Sequence, residues 1–212
     1  MTKKMKILLI IGASLGIIFI VGQFIFMKTI SDIEMYSYKV LKKYDLFEIR
    51  KYDAANFSYV TMKTDSYQKS SGNGFKSLAG YIFGGNEKKE SIAMTSPVVM
   101  NLDETVTMQF MIPAKYNLDD LPKPNNPDVK FKTEKEKFMA TIAFGGWSND
   151  KKIAEYTAKL KTLLQENGIT HLNNFSYFGY NPPFQLINRR NEIAVEIDIN
   201  SVPGLNIEDK KG

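Results

Sequence analysis

The stretch FGGNEKKESIAMTSPVVM, residues 83–100, contains the features on which the fold prediction depends. A helix-like segment ends at Gly84-Gly85, a short charged loop follows, and the chain then becomes apolar. Pro97 removes one backbone donor, so it favours a strand start, a strand edge or a bulge at that point. The apolar residues typical of a strand that faces a core are Ile92, Met94, Val98 and Val99. The stretch therefore predicts a change from helix to sheet.

The sequence on either side of this stretch completes a first structural unit. Residues 40–62 contain two extended runs with partial alternation of apolar side chains, which predicts two strands. Asp65 or Ser66 is a suitable N-cap for the helix that ends at the two glycines. Residues 98–102 and 107–112 then form a predicted hairpin.

The same order of elements follows a proline-rich connection at residues 116–128. A strand is predicted at residues 138–144, and Ser148 or Asn149 caps a second helix with an apolar stripe. The two further predicted strands are residues 175–180 and 192–199. The chain thus repeats the order strand, helix, strand, strand, which predicts an α+β fold with both helices packed on one joined sheet.

The N-terminal part has the composition of a membrane anchor. Residues 7–27 carry no charge, and a helix of that length, at about 1.5 Å per residue, crosses a hydrocarbon layer roughly 30 Å thick. The run exceeds the core of a cleaved signal, and no A-x-A-like site follows it. We expect an uncleaved transmembrane anchor with a basic flank at residues 1–28 and a juxtamembrane spacer at residues 29–38. The folded domain is expected at residues 39–200, with residues 201–212 disordered.

The distribution of lysines predicts the orientation of this single-pass protein. Lys3, Lys4 and Lys6 precede the apolar run, so the positive-inside rule keeps the N-terminus in the cytoplasm and the folded domain on the extracytoplasmic side. The bilayer is then a partner of residues 7–27. The net charge of +5 comes mostly from the first 28 residues, which hold four lysines and no acids. The nearly neutral remainder does not favour nucleic-acid binding.

Residue counts exclude most catalytic and metal sites. Cysteine is absent and His171 is the single histidine, so neither a Cys-His nucleophile nor a His-rich metal site is available. No paired carboxylates have the setting of a general acid and base, because Asp119 and Asp120 lie in the proline-rich connection. We therefore expect no catalytic residue and no metal ligand set, and His171 is expected to be a loop residue.

Apolar and cationic side chains instead indicate a ligand site. A concave apolar surface with a cationic rim suits a flat hydrophobic anion such as a tetrapyrrole with propionates. The candidate ligand-binding residues are Phe75, Leu78, Ile82, Met94, Phe184, Arg189 and Arg190. Two alternatives stay open: the apolar residues fill the core, and the two arginines pair with Glu192 or hold the strand entry.

Four motifs in series resemble the signatures of the SOUL haem-binding protein family. They extend from about Tyr38 to Ile199 and read YDLFEIRKY, GYIFGGNEKKESIAMTSPVVM, MQFMIP and FGYNPPFQLINRRNEIAVEI. The resemblance implies two pseudo-twofold βαββ repeats that form a distorted antiparallel β-barrel with two packed helices. It also implies tetrapyrrole binding in a surface groove beside the first helix, with Phe75, Leu78 and Phe184 among the groove residues, by proteins without established catalysis.

The sequence departs from the family pattern at possible haem contacts. Some relatives are thought to use an N-terminal histidine as iron ligand, and none precedes His171 here. Other relatives are thought to place basic residues near the propionates, at positions that correspond to Gly72 and Gln185 in this sequence. Axial ligation would then come from Tyr, Met or His171, or not occur. The resulting hypothesis is a membrane-anchored, non-enzymatic binder of haem or a related tetrapyrrole. The alternative is a protein–protein interaction module, or a binder of another small hydrophobic ligand, on the same fold.

Overall fold

The computed structural model describes residues 2, 4–6, 10–12, 14, 33–63, 66–102, 105–182 and 185–205. It divides into two compact units, residues 1–33 and residues 34–212. The described residues 4–6, 10–12 and 14 of the first unit are helical. Most of the predicted span at residues 7–27 lies outside the described residues. Within the described part, we find no helix with both the length and the apolar character needed to cross a membrane.

The second unit is built on one antiparallel sheet of nine strands, ordered β2-β3-β9-β11-β10-β6-β7-β4-β8. Its strands are β2 Tyr38–Lys43, β3 Glu48–Tyr52, β4 Ala55–Met62, β6 Val98–Asn101, β7 Val106–Met111, β8 Lys130–Glu134, β9 Lys137–Gly145, β10 Ser176–Gly179 and β11 Arg190–Glu196. Two short strands, β1 Glu34–Met35 and β5 Thr95–Ser96, pair in parallel. The helices are α1 Tyr67–Ile82 and α2 Asp150–Glu166.

The large sheet is curled and open, so it forms a half-barrel. Strands β2 and β8 lie at its two ends and do not pair with each other in the described part of the chain, so the predicted distorted β-barrel is a half-barrel. The prediction of an α+β fold with an antiparallel sheet is confirmed. Lysines occupy both edge strands, and charged side chains of this kind hinder pairing with another sheet edge.

Two segments of the chain have the same connectivity. The segment β4-α1-β6-β7 has the spatial strand order β4-β7-β6, and the segment β9-α2-β10-β11 has the order β9-β11-β10. Their second strands, β6 and β10, pair with each other at the centre of the sheet. Helix α1 packs on β4 and β7, and α2 packs on β9 and β11. Whether a pseudo-twofold axis relates the two segments stays a prediction.

Some strands and the chain end differ from the sequence predictions. Residues 40–62 form three strands instead of two, because a tight turn separates β2 from β3. The charged run at residues 130–134 is an additional strand, β8, which pairs with β4. Residues 201–205, expected within a disordered tail, belong to the folded unit, since Val202 is buried in the core. Residues 206–212 lie outside the described residues.

Both faces of the half-barrel are buried. The outer face, under the helices, holds the larger apolar cluster, which includes Ile193 and Val195 of β11. The inner face holds a second cluster that includes Ala194 of the same strand. Because successive side chains of a strand point to opposite faces, β11 is buried along almost its whole length. This two-sided burial explains why its sequence shows no alternation of apolar and polar residues.

Helix α1 begins at the predicted N-cap and lies unusually close to the sheet. The side chain of Ser66 accepts a hydrogen bond from the backbone amide of Lys69, and the helix continues through its glycines to Ile82. A β-carbon on Gly74 would come within 3.2 Å of the β-carbon of Met108 and still closer to the Met62 side chain. A β-carbon on Gly72 would meet nothing within 4 Å. Gly74 is therefore the glycine that lets α1 approach the sheet.

We predict that Gly74→Ala lowers stability although alanine favours helix. Overpacking costs about 1–3 kcal/mol, whereas the gain in helix propensity is about 1 kcal/mol. The matched control Gly72→Ala has only the propensity gain and is expected to raise stability. Thermal unfolding followed by circular dichroism measures both. Equal upward shifts of the two melting temperatures would contradict the close approach of α1 at Gly74.

Candidate ligand-binding site

A space between the two helices is the first feature of the site. One row of the sheet ladder crosses five strands through Phe110, Val98, Gly179, Asn191 and Phe144. Phe75 of α1 packs on Phe110 with ring centroids 5.4 Å apart, and Tyr156 of α2 stacks on Phe144 at 4.4 Å. Four strand spacings separate these two contacts, about 19 Å along the sheet, whereas directly packed helices lie about 8–10 Å apart. We call the space over β6 and β10 the interhelical channel.

The channel narrows where the helices begin. The Asp150 carboxylate, in the first turn of α2, accepts hydrogen bonds from the Tyr67 backbone amide at 2.6 Å and the Ser66 hydroxyl at 2.9 Å. A carboxylate next to the N-terminus of α1 is favourably placed, because the helix dipole is positive there. Asn149 caps α2 through the backbone amide of Lys152. Asp150 therefore joins the first turns of both helices.

A cavity of about 440 Å³ lies beside this junction. Its lining residues are Ser66, Tyr67, Leu102, Asp150, Ile153, Ala154 and Thr157. The Oγ1 atom of Thr157 is buried and has no hydrogen-bond partner in the described structure. An unpaired buried hydroxyl is costly, so a bound molecule with a polar group would gain a hydrogen bond here. The cavity can thus hold a mainly apolar molecule that offers one polar contact.

Tyr177 forms the centre of the channel floor. Its ring packs edge-on against Tyr67 at 5.0 Å, and its hydroxyl donates to Asn191 Oδ1 at 2.7 Å and lies 3.0 Å from the Ser148 hydroxyl. Burial raises the pKa of Tyr177, so the phenol stays protonated at neutral pH. A β-carbon on Gly179 would lie 3.1 Å from the Tyr177 hydroxyl oxygen, so a glycine at that position leaves room for the ring. The floor is consequently aromatic and uncharged.

The structure separates the predicted apolar residues. Leu78 and Ile82 are buried in the outer core beneath α1, and Met94 is partly buried against the same core. Phe75 is 37% exposed at the side of α1 and is the one predicted aromatic residue that the structure describes. Phe184 lies outside the described residues. Leu78 and Ile82 therefore fill the core, which was the alternative interpretation of these residues. Phe75 borders the channel.

Both predicted arginines have partners within the chain. Arg189 donates to the carbonyl oxygens of Pro182 and Gln185 at 2.8 Å, and its guanidinium lies 4.1 Å from the centre of the Trp147 ring. Arg190 pairs with Glu192 through an N–O distance of 2.7 Å. These contacts agree with the alternative interpretation of the two arginines: Arg189 holds the entry to β11, and Arg190 pairs with Glu192.

Glu192 is the centre of a polar network on the inner face that the sequence interpretation did not place in a site. Its fully buried carboxylate accepts two hydrogen bonds from the guanidinium of Arg50, at 2.9 and 3.1 Å, and one from the Tyr180 hydroxyl at 2.7 Å. Arg190 supplies two more, and its guanidinium stacks over the Tyr180 ring. Burial by itself would raise the pKa of Glu192. The hydrogen bonds and charge of Arg50, with Arg190 and Tyr180, lower it below its usual range.

The remaining polar candidates do not form a metal site. His171 lies in the connection between α2 and β10, where its Nδ1 accepts from the Asn173 amide at 3.1 Å and its ring packs on Phe175. Burial lowers its pKa, with a further contribution from the charge of Lys161. His171 is thus a loop residue, as the sequence predicted. Among the residues that the structure describes, no group of three or more His, Asp or Glu side chains could hold a metal ion.

Tyr67, Asp150 and Thr157 are site residues that sequence reasoning missed. Each looked like an ordinary helix residue, since Tyr67 was part of an apolar stripe and Asp150 a first-turn acid. Their proximity depends on the packing of two helices that are more than 60 residues apart in the sequence. The one available signal was the pair of N-cap motifs, which marked the two helix starts but not their contact.

The architecture defines a class: α+β proteins with an open antiparallel half-barrel and two helices on its outer face. A family model, SOUL heme-binding protein, matches residues 33–196. Heme-binding protein 2 of Mus musculus is 30% identical over 174 residues, covering 76% of this chain and 84% of the relative. Heme-binding protein 2 of Homo sapiens is 31% identical over 156 residues, with 69% and 76% coverage. The chain belongs to the SOUL heme-binding protein family, as its motifs predicted.

Solved structures of low sequence identity share the fold. The C-terminal domain of EcmrR is 9% identical, with a TM-score of 0.57 over 76% of this chain and 98% of that chain. A hydrolase from Listeria innocua is 10% identical, with a TM-score of 0.52 over 72% of this chain and 92% of that one. At these identities the likeness concerns the fold alone.

We predict that Glu192→Gln destabilises the protein by about 3–5 kcal/mol at neutral pH, because it removes one partner of a buried ion pair. The lowered pKa of Glu192 means that its contribution is present above the unfolded-state pKa and is lost as pH falls through the folded-state pKa. The stability difference between wild type and variant should therefore shrink in acid. Urea unfolding at several pH values measures it, with exposed Glu166→Gln as the control. A difference that stays constant down to strongly acidic pH would refute this assignment.

Proposed function

We propose that the chain binds haem or a related tetrapyrrole in the interhelical channel and that it does so without catalysis. The observation that carries the proposal is the cavity of about 440 Å³ between α1 and α2, a volume typical of small-molecule sites, which span about 300–1,000 Å³. Membership of the family supports the ligand class, since the matched relatives are named for haem binding. Those relatives carry no enzyme name, which favours a binding role.

The channel residues fit a planar apolar ligand. Tyr67 and Phe75 on α1 and Tyr177 on the floor offer ring faces and edges, while Ile153 and Ala154 of α2 form the opposite wall. Bound haem would supply a flat apolar macrocycle, its iron and two propionates. The Thr157 hydroxyl is available to hydrogen-bond a polar group of such a ligand.

The roles of the sequence-predicted residues change accordingly. Phe75 is proposed to contact the ligand directly, whereas Leu78 and Ile82 support α1 from the core. Arg189 and Arg190 are engaged within the chain, so we do not assign them to the propionates. Because His171 lies in the α2–β10 connection and the Tyr177 hydroxyl is bonded to Asn191, the candidate iron ligand is the phenol of Tyr67, which lines the cavity.

We further propose that residues 7–27 anchor the protein in a bilayer, with the N-terminus in the cytoplasm and the folded domain outside. The uncharged length of this segment and the lysines before it support the proposal. A pseudo-twofold relation between the two βαββ segments is also proposed, because both have the same strand order and meet at β6 and β10. The interhelical channel would then lie on the axis.

Filling the cavity tests the site. Ala154 is exposed, lines the cavity and makes no polar side-chain contact, so Ala154→Trp blocks the space with little expected loss of stability. We predict that it weakens haemin binding at least about tenfold, a loss of 1.4 kcal/mol. The matched control Ala158→Trp changes an exposed alanine one turn further along α2 that does not line the cavity, and wild-type affinity is expected. Absorbance titration in the Soret region measures all three proteins.

Two results would refute the proposal. Haemin affinity of the wild type no better than that of an unrelated soluble protein would exclude specific binding. Equal affinities for wild type and Ala154→Trp would place the ligand elsewhere. Phe75→Asp provides an independent check on the α1 side of the channel, and circular dichroism of each variant confirms that loss of binding does not reflect unfolding.

A further inference from the structure

Four of the eight exposed large apolar side chains that the structure describes in the second unit lie in three neighbouring segments. Trp147 is 52% exposed in the connection between β9 and α2, and Leu186 and Ile187 are 50% and 57% exposed between β10 and β11. Met35 of β1 is 43% exposed. Isolated exposed apolar residues are common, but a group of large ones marks an interaction surface.

Strand register brings these segments to one end of the sheet. Gly145, the last residue of β9, pairs with Arg190 at the start of β11, so both connections leave the sheet at the same end. The Arg189 guanidinium over Trp147 joins the two connections directly. Strand β1 is attached at this end too, because Met35 pairs with Ser96, whose hydroxyl donates to the Tyr180 carbonyl oxygen. We call the surface of Met35, Trp147, Leu186 and Ile187 the apolar end.

Lysines and acids both lie near the apolar end. Lys115 and Lys151 are exposed; Lys115 follows Ala114, whose amide contacts Glu34, and Lys151 is four residues after Trp147. Two of the acids are held by backbone amides: Glu34 accepts from the amide of Ala114 at 2.8 Å, and Asp150 accepts from that of Tyr67. A tryptophan and aliphatic side chains among cations are typical of surfaces that enter the headgroup region of a bilayer. Anionic lipid headgroups attract such cations.

We propose that the apolar end docks on a lipid bilayer, with Trp147, Leu186 and Ile187 entering the interface between headgroups and acyl chains. The inference deepens the proposed function and rests on the proposed anchor. Only residues 28–33 separate the predicted span from Glu34, and an extended chain of six residues covers at most about 20 Å. Since the chain enters the folded unit at the apolar end, that end is the one that such a short connection would bring to the bilayer.

The anchor and the apolar end then act together. The anchor keeps the domain at the bilayer, so the second contact forms at a high effective concentration and restricts the orientation of the domain. Trp147 directly precedes Ser148, whose hydroxyl lies 3.0 Å from the Tyr177 hydroxyl on the channel floor. Docking would therefore position the interhelical channel close to the lipid phase, where hydrophobic ligands partition.

Trp147 is the only tryptophan of the chain, so the tryptophan fluorescence of the protein reports on the environment of this residue. The full-length, haem-free protein is reconstituted in vesicles of phosphatidylcholine with a minority of phosphatidylglycerol, with or without bromine on the acyl chains. We expect a blue-shifted Trp147 emission that the brominated lipids quench. Emission that brominated lipids leave unchanged would overturn the proposal.

Variants separate the apolar end from the anchor. The double variant Leu186→Glu with Ile187→Glu is expected to lose the quenching while the protein still floats with vesicles through residues 7–27. The control Leu172→Glu introduces a glutamate at a 60% exposed leucine before β10, at the opposite end of the sheet, and should retain quenching. Equal quenching in all three proteins would overturn the proposal, since the apolar end would not contribute.

Flotation and quenching distinguish the two hypotheses. Loss of flotation with quenching retained at high vesicle concentration would refute the anchor and leave the apolar end as a lipid contact. Flotation without quenching would support the anchor and refute the docking surface. A blue shift that depends on protein concentration, and not on bromine, would show that the surface joins two copies of the chain instead.

Discussion

The buried carboxylate of Glu192 is the constraint on which the rest of the folded unit depends. A fully buried charge is tolerated only when it is paired and hydrogen-bonded, and Glu192 meets this condition through Arg50, Arg190 and Tyr180. Arg50 lies on β3, two strands away from β11, so its guanidinium reaches Glu192 across the inner face because the sheet is curled. The ion pair therefore joins β3 to β11 across the intervening strand β9.

The sheet curls around this network, and the two helices pack on its outer face. Each helix covers its own pair of strands, β4 with β7 and β9 with β11, and the central strands β6 and β10 remain between them. The contact of Asp150 with the first turn of α1 joins the helices at one point without closing the space. One face thus holds a buried polar network, and the other holds the two helices with a cavity between them.

Local signals predicted the elements well and the site poorly. The caps at Ser66 and Asn149 and the order of strands were readable because turn and capping chemistry acts over a few residues. Leu78 and Ile82 were assigned to a ligand surface because an apolar residue on a helix has the same pattern whether a ligand or a sheet covers it. Arg190 was a candidate propionate contact because the sequence does not show whether its guanidinium binds a ligand or Glu192.

Sequence by itself determined the family, the helices with their caps, most strands and the absence of a Cys-based or His-rich centre, since these depend on motifs, short-range spacing and residue counts. Only the tertiary structure decided that the sheet stays open, that α1 and α2 meet at Asp150, and that Trp147 and Ile187 reach the same end. The physical reason is that strand register and helix packing join residues far apart in the chain. The free energy of such contacts depends on the shape and burial of the packed side chains, which a short stretch of sequence does not determine.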